Sequence, residues 1–162
     1  MTVWRYLGIL FGFCCVWSAS MAQKPFRVMF YNVENLFDCR DDSLKDDDEF
    51  LPETEKRWTH YRYWRKLNAL SKVVAAVGEE NLPDLIGLCE VENDSVVFDL
   101  ACRSAMRTLG YRYVVTHSPD ERGIDVALLY QPGCFRLLGT REVVVPSLQE
   151  GFRPTRNLLY VK

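Results

Sequence analysis

An apolar stripe at helical spacing lies between two segments with the residue pattern of strands, and this order limits the topology more than any other feature of the chain. From Trp58 to Val77, the residues Tyr63, Leu67, Leu70, Val74 and Val77 recur every three or four positions, which marks one buried helix face. Before it, Phe26–Tyr31 is rich in aromatic and β-branched residues and reads as a strand. After it, Pro83-Asp84 leads into Leu85–Cys89 and then Glu90, a nearly continuous apolar run of the kind found in strands covered on both faces. Strand, helix and strand in that order predict a right-handed crossover between two parallel strands. Gly78 stands where the helix C-cap is expected.

Further along, Phe98, Ala101, Cys102, Ala105 and Leu109 outline a second helix, closed by Gly110. Tyr111–Thr116, Ile124–Gln131, Phe135–Val145 and Asn157–Val161 are further strand candidates. The pattern predicts an α/β fold with a mixed sheet. With 162 residues, 48% of them hydrophobic, one domain with a sizeable core is expected. No repeat or low-complexity linker divides it.

The first residues read as a leader, not as part of that domain. Arg5 is a positive n-region, Leu7–Trp17 an apolar run, and Ser20-Met21-Ala22 a small-residue cleavage site. Eleven residues at about 1.5 Å each cannot cross a hydrocarbon core of about 30 Å. The expectation is a signal peptide over residues 1–22, an exported (periplasmic or secreted) domain over 23–162, and no transmembrane segment in the mature chain. Its removal takes six cysteines to four, Cys39, Cys89, Cys102 and Cys134. Cys89 and Cys102 read as small core residues. Cys39 and Cys134 fall in loops and could pair in an oxidising compartment. No Cys/His zinc spacing is present.

Charge excludes a global nucleic-acid field, since the formal net charge is −2 and falls to −3 when Arg5 leaves. A phosphate-bearing substrate must therefore be held by a local site or a metal. Asp38 to Glu55 carries nine acidic residues against Arg40 and Lys45, which reads as a solvated loop; a calcium loop is the sharper alternative, although no EF-hand pattern is visible. Arg57–Lys66 mixes basic and aromatic residues, suited either to stacking bases and holding phosphates or to an ordinary amphipathic helix start.

In open α/β sheets, chemistry collects where the chain leaves the carboxyl ends of strands. Two strands here end in polar groups, Tyr31-Asn32-Val33-Glu34-Asn35 and Cys89-Glu90-Val91-Glu92-Asn93. An amide and a carboxylate brought side by side form a credible site for Mg²⁺, which takes one or two carboxylates and keeps several waters. Taken alone, Asn32 is equally a turn residue and Glu90 a solvated strand end.

Phe30-Tyr31-Asn32-Val33-Glu34-Asn35-Leu36 and Pro83-Asp84-Leu85-Ile86-Gly87-Leu88-Cys89-Glu90 resemble the first two motifs of the endonuclease/exonuclease/phosphatase superfamily. Arg122–Tyr130 and Arg153–Val161 resemble its following strands, so the likeness runs from about Phe26 to the end. It implies the N-terminal half of a four-layer α/β/β/α sandwich. It also implies a divalent cation (Mg²⁺, or Mn²⁺ or Ca²⁺), with Glu90 as metal ligand and Asn32 ordering the metal and phosphate. Glu34 falls where some members carry a second acidic metal ligand, and Arg122 and Asp125 belong to a motif near the substrate cleft.

The implied activity is metal-assisted attack of water on a phosphate ester, by an exported Mg²⁺-dependent phosphodiesterase or nuclease. Its substrate is nucleic acid, a phospholipid head group or an inositol phosphate; its oligomeric state is open. The family's Asn-His, Asp-x-Asn and Ser-Asp-His motifs would lie after Val161, and neither His60 nor His117 has the Asp-His context of a general base. The chain alone is therefore expected to be inactive and to leave a sheet face uncovered; the alternative is a non-catalytic remnant or binding module. Asn32 and Glu90 should meet on neighbouring parallel strands, at a cleft that also receives Asp125.

Overall fold

The computed structural model describes residues 25–146 and 153–162. The expected leader over residues 1–22 lies outside the described residues. Strand β1 (Val28–Leu36) is followed by helix α1 (His60–Gly78) and strand β2 (Leu85–Val91). A broken helical segment opens with α2 (Asp94–Phe98), and β3 (Arg112–Val115) and β4 (Asp125–Tyr130) follow. The last two strands are β5 (Thr140–Val143) and β6 (Leu158–Val161). The main sheet has the order β1-β2-β4-β3, with β5 and β6 forming a separate antiparallel ribbon. β1 and β2 are parallel and β4 is antiparallel to both neighbours, so the sheet is mixed, as the sequence predicts.

Helix α1 begins where Thr59 caps it, its side chain accepting from the Arg62 amide. Tyr63, Leu67, Leu70 and Val74 are buried in one cluster with Met29 and Val33 of β1 and Ile86 and Leu88 of β2. Cutting the fully buried Leu67 back to Ala should cost about 2–5 kcal/mol. Val77, assigned by its spacing to the same stripe, is exposed. Gly78 serves close packing: a Cβ there would meet Pro83 Cδ at 3.3 Å, while the left-handed residue ending the helix is Glu79 at φ 48°.

The second helix is broken where the sequence stripe predicts continuity. α2 passes into a π-helical turn at Asp99–Arg103, and Ser104 is extended before a 3-10 turn at Ala105–Leu109. The wider turn rephases the side chains. Leu100, Ala101 and Met106 are buried, whereas Cys102, expected in the core, is exposed. Gly110 closes the segment in the left-handed conformation, as expected.

The opposite sheet face is only partly covered. Leu85, Leu128 and Tyr130 share a cavity of about 220 Å³ with Phe135, Leu137 and Val161 at the ribbon. Val28 and Phe30 remain exposed, and the Phe30 ring lies over Gly87, where a Cβ would come within 2.9 Å of it. The expected strand Phe135–Val145 is reduced to β5, because a turn at Pro132–Cys134 and irregular chain precede it. Cys39 and Cys134 are not bridged; Cys39 packs against the main core and the Cys134 thiol donates to Asp84.

Candidate active site

β1 runs past the expected end at Tyr31, because Val33 and Leu36 also belong in the core. Asn32 and Glu34 are therefore within the strand, at a bulge. Asn32 pairs with Cys89 and Leu36 with Val91, so between these pairs β1 carries three residues and β2 only Glu90. The surplus is absorbed by left-handed residues: Glu34 at φ 53°, Asn35 at φ 58° and, opposite them, Glu90 at φ 65°. Among the described non-glycine residues only Arg57 and Glu79 share that conformation. Each such residue costs on the order of 1–2 kcal/mol, and strain of this kind concentrates where a side chain must be aimed.

What the bulge aims is an interlocked amide and carboxylate. Asn32 Nδ2 donates to Glu90 Oε1 at 2.8 Å, and the Asn35 amide donates to Glu90 Oε2 at 3.2 Å. Asn32 Oδ1 accepts from the Glu34 amide at 2.8 Å, which closes the turn. The two expected partners thus meet directly. Each Glu90 oxygen accepts one hydrogen bond and keeps a further lone pair for a cation.

Lys66 of α1 was not singled out as a site residue by the sequence. Its ammonium donates to the Glu34 and Asn35 carbonyls, tying the bulge to the helix. Burial depresses its pKa, and the Glu34 and Glu90 carboxylates oppose that shift, so the ammonium faces both acids. Trp58, Arg62 and Lys66 follow at intervals of four residues and line one side of an open cleft of about 610 Å³ that reaches Glu34 and Asn35. The Lys66 ammonium stands 5.6 Å from the Trp58 ring centroid. The i, i+4 spacing of these residues was the signal available in the sequence. Arg156 lies near enough to Cys89 for its charge to offset part of the burial that raises the thiol pKa.

β4 sets Asp125 across from Val91, next to Glu90, but its carboxyl group is engaged elsewhere. It is buried and accepts from Thr116 Oγ1 at 2.7 Å, the Ser118 amide at 2.8 Å and Ser118 Oγ at 2.5 Å. With three hydrogen bonds on its Oδ1, the carboxylate braces the β3–β4 loop. Arg122 pairs with Asp120 at 3.7 Å and not with Asp125. The polar residues after Glu90 also have local duties. Asn93 caps α2 by accepting from the Val96 amide, and buried Glu92 accepts from the Asp38 amide at 2.6 Å. Burial raises Glu92 to a pKa of about 8; the hydrogen bond from the Asp38 amide opposes that shift, and the Asp38, Asp47 and Asp42 charges add to it.

A hard cation suits the strand site: Glu90 supplies a positioned carboxylate, exposed Glu34 a second, and the open cleft leaves room for water ligands. Among the described residues, no helix is long and apolar enough to cross a membrane. Comparison with curated proteins and with solved structures gives no match. A model of the endonuclease/exonuclease/phosphatase family matches residues 27–162, nearly all of the described chain. The chain therefore belongs to the endonuclease/exonuclease/phosphatase family, whose chemistry is hydrolysis of phosphoesters.

Proposed function

We propose that the chain is part of an exported, Mg²⁺-dependent phosphodiesterase acting on a polyanionic substrate, nucleic acid first. The observation that carries this reading is the Asn32–Glu90 hydrogen bond, held at a doubly strained register break. Glu90 would bind the cation, with Glu34 reaching it from the neighbouring strand. A bound divalent cation supplies neutralisation of charge on the phosphoryl oxygens and the leaving group. Asn32 fixes the orientation of the Glu90 carboxylate, and its other amide atom holds the turn that presents Glu34.

The remaining groups orient substrate. Lys66, Arg62 and Lys56 place positive charge along the cleft, and Trp58 offers a ring against which a base can stack. This local field compensates for a chain that is acidic overall. Neither histidine hydrogen-bonds the Asn32–Glu90 pair: His60 is at the opening of α1 beside Tyr63, and the His117 amide bonds Glu142. Export rests on Arg5, the Leu7–Trp17 run and Ser20-Met21-Ala22.

The test compares this chain with a downstream-extended form on DNA, RNA and a model phosphodiester, with Mg²⁺ and with EDTA. The extended form should turn over phosphodiesters only with Mg²⁺, and its Glu90→Gln variant should lose activity by about 10²-fold or more. EDTA-insensitive turnover, or a fully active Glu90→Gln protein, would remove the strand site from the chemistry.

A further inference from the structure

We propose that the acidic loop between β1 and α1 holds a second divalent cation, calcium, through Asp41, Asp47 and Asp48. Carboxylate oxygens of these three residues lie within 4.8 Å of one another. Oxygens on opposite sides of one Ca²⁺ are separated by roughly 4.8 Å at its usual bond length, so one ion can touch all three. The cluster alone would be an ordinary solvated acidic surface. Asp47 makes it otherwise.

Asp47 is 2% exposed, and its Oδ1 is buried with no hydrogen-bond partner. Its other oxygen accepts only a long bond of 3.3 Å from the Asp42 amide. Buried carboxylate oxygens are rarely left unsatisfied, because desolvation without a partner costs more than a hydrogen bond returns. The nearest cation in sequence does not serve it: Lys45 donates to the Asp120 carbonyl at 2.8 Å and to the Ser118 carbonyl at 3.4 Å. An all-oxygen, three-carboxylate loop suits Ca²⁺, whose flexible shell accepts irregular geometry, better than Mg²⁺, which demands a near-octahedral one.

The position gives such an ion a task. Asp48 opens a short 3-10 turn that ends at Phe50. The Phe50 ring stacks on Phe37 at 4.2 Å and meets Trp58 edge-on at 6.1 Å, and both Phe50 and Trp58 line the strand-site cleft. On the other side, Lys45 and the Asp46 amide fasten the loop to the β3–β4 loop. A cation at the three aspartates would clamp the loop that walls the cleft.

The test uses the full chain, stripped with chelator, with Ca²⁺ read by calorimetry and Tb³⁺ by luminescence sensitised through nearby aromatic rings. One ion should bind with equal affinity in the wild type and in Glu90→Gln, which disables the strand site. Asp47→Asn, and separately the exposed Asp41→Asn, should each weaken binding at least tenfold. The exposed variant keeps the result interpretable should Asp47→Asn fold poorly. Ca²⁺ should also slow proteolysis within residues 41–57. No calcium binding, binding unchanged by both aspartate variants, or binding lost in Glu90→Gln would overturn the assignment. An equal response to Mg²⁺ in Glu90→Gln would overturn the choice of calcium.

Discussion

Glu90 Oε1 accepts from Asn32 Nδ2 at 2.8 Å across a parallel strand pair that loses register immediately beyond that contact. The bond and the bulge depend on each other, because Asn32 Oδ1 also holds the Glu34 amide. Replacing Asn32 separates these duties. Asn32→Asp keeps the acceptor for Glu34 but sets a like charge against Glu90; Asn32→Ala removes both. Groups that orient a metal ligand in this way are typically worth about 10–100-fold in metal affinity. Calorimetry with Mg²⁺ or Mn²⁺ should show a loss of that size for both variants, with unfolding changed more by Asn32→Ala. Unaltered metal affinity in both would mean that Asn32 only shapes the turn.

Lys66 presents a different balance. Lys66→Met keeps the apolar stem but leaves the Glu34 and Asn35 carbonyls without their ammonium partner. The expected loss of stability is about 1–3 kcal/mol, measured by urea unfolding. Substrate binding should weaken as well, since the charge facing Glu34 and Glu90 disappears. A variant as stable as the wild type would show that water replaces the ammonium at both carbonyls.

Glu92 sets a pH dependence whose sign follows from its burial. Its pKa is raised from the ordinary 4.5 to about 8 in the folded chain. Between those values the folded state holds a proton that the unfolded chain has released, so stability is full below about 4.5 and falls as pH rises toward 8. The steepest slope is about 1.4 kcal/mol per pH unit. Urea titrations from pH 5 to pH 8 in EDTA should show this decline, and Glu92→Gln should flatten it. EDTA is needed because Asp47, also raised by burial, pushes in the same direction when no cation is bound. A slope that persists in Glu92→Gln would place the titration elsewhere.

The junction of the acidic loop with the β3–β4 loop rests on Gly123. Its φ is +70°, and an added Cβ would lie 3.1 Å from Lys45 Cγ. Gly123→Ala should therefore cost about 1–2 kcal/mol from backbone strain and displace Lys45 from the carbonyls it caps. Limited trypsin digestion would report this as faster cleavage after Lys45. Equal cleavage rates would mean that the two loops separate without freeing that side chain.

Much of this architecture was legible in the chain because it depends on periodicity. The Tyr63–Val74 stripe between two apolar runs required a crossover, and the crossover required Asn32 and Glu90 to end side by side. The bulge was not legible. Left-handed glutamate and asparagine have no compositional signature; Glu34, Asn35 and Glu90 adopt that conformation because the flanking residues Val33, Leu36 and Val91 are all held in the core. The partners of Asp125 were not legible for a related reason. A carboxylate beside a strand reads the same whether it faces substrate or, as here, the hydroxyls of Thr116 and Ser118. The break after Phe98 was hidden because a π-helical turn shifts an apolar stripe by one residue without changing its composition.

The parallel pairing of β1 with β2 also sets the order of events when the chain folds. β3 and β4 are joined by a short connection and can zip together locally, whereas Asn32 and Glu90 are 58 residues apart in sequence. Closing a loop of that length is entropically disfavoured until α1 has formed and packed beneath both strands. The amide–carboxylate pair is thus among the last contacts made in refolding. Partly folded molecules should carry the β2-β4-β3 strands while Asn32 and Glu90 remain apart, and affinity for a cation at Glu90 should return only in the slowest refolding phase.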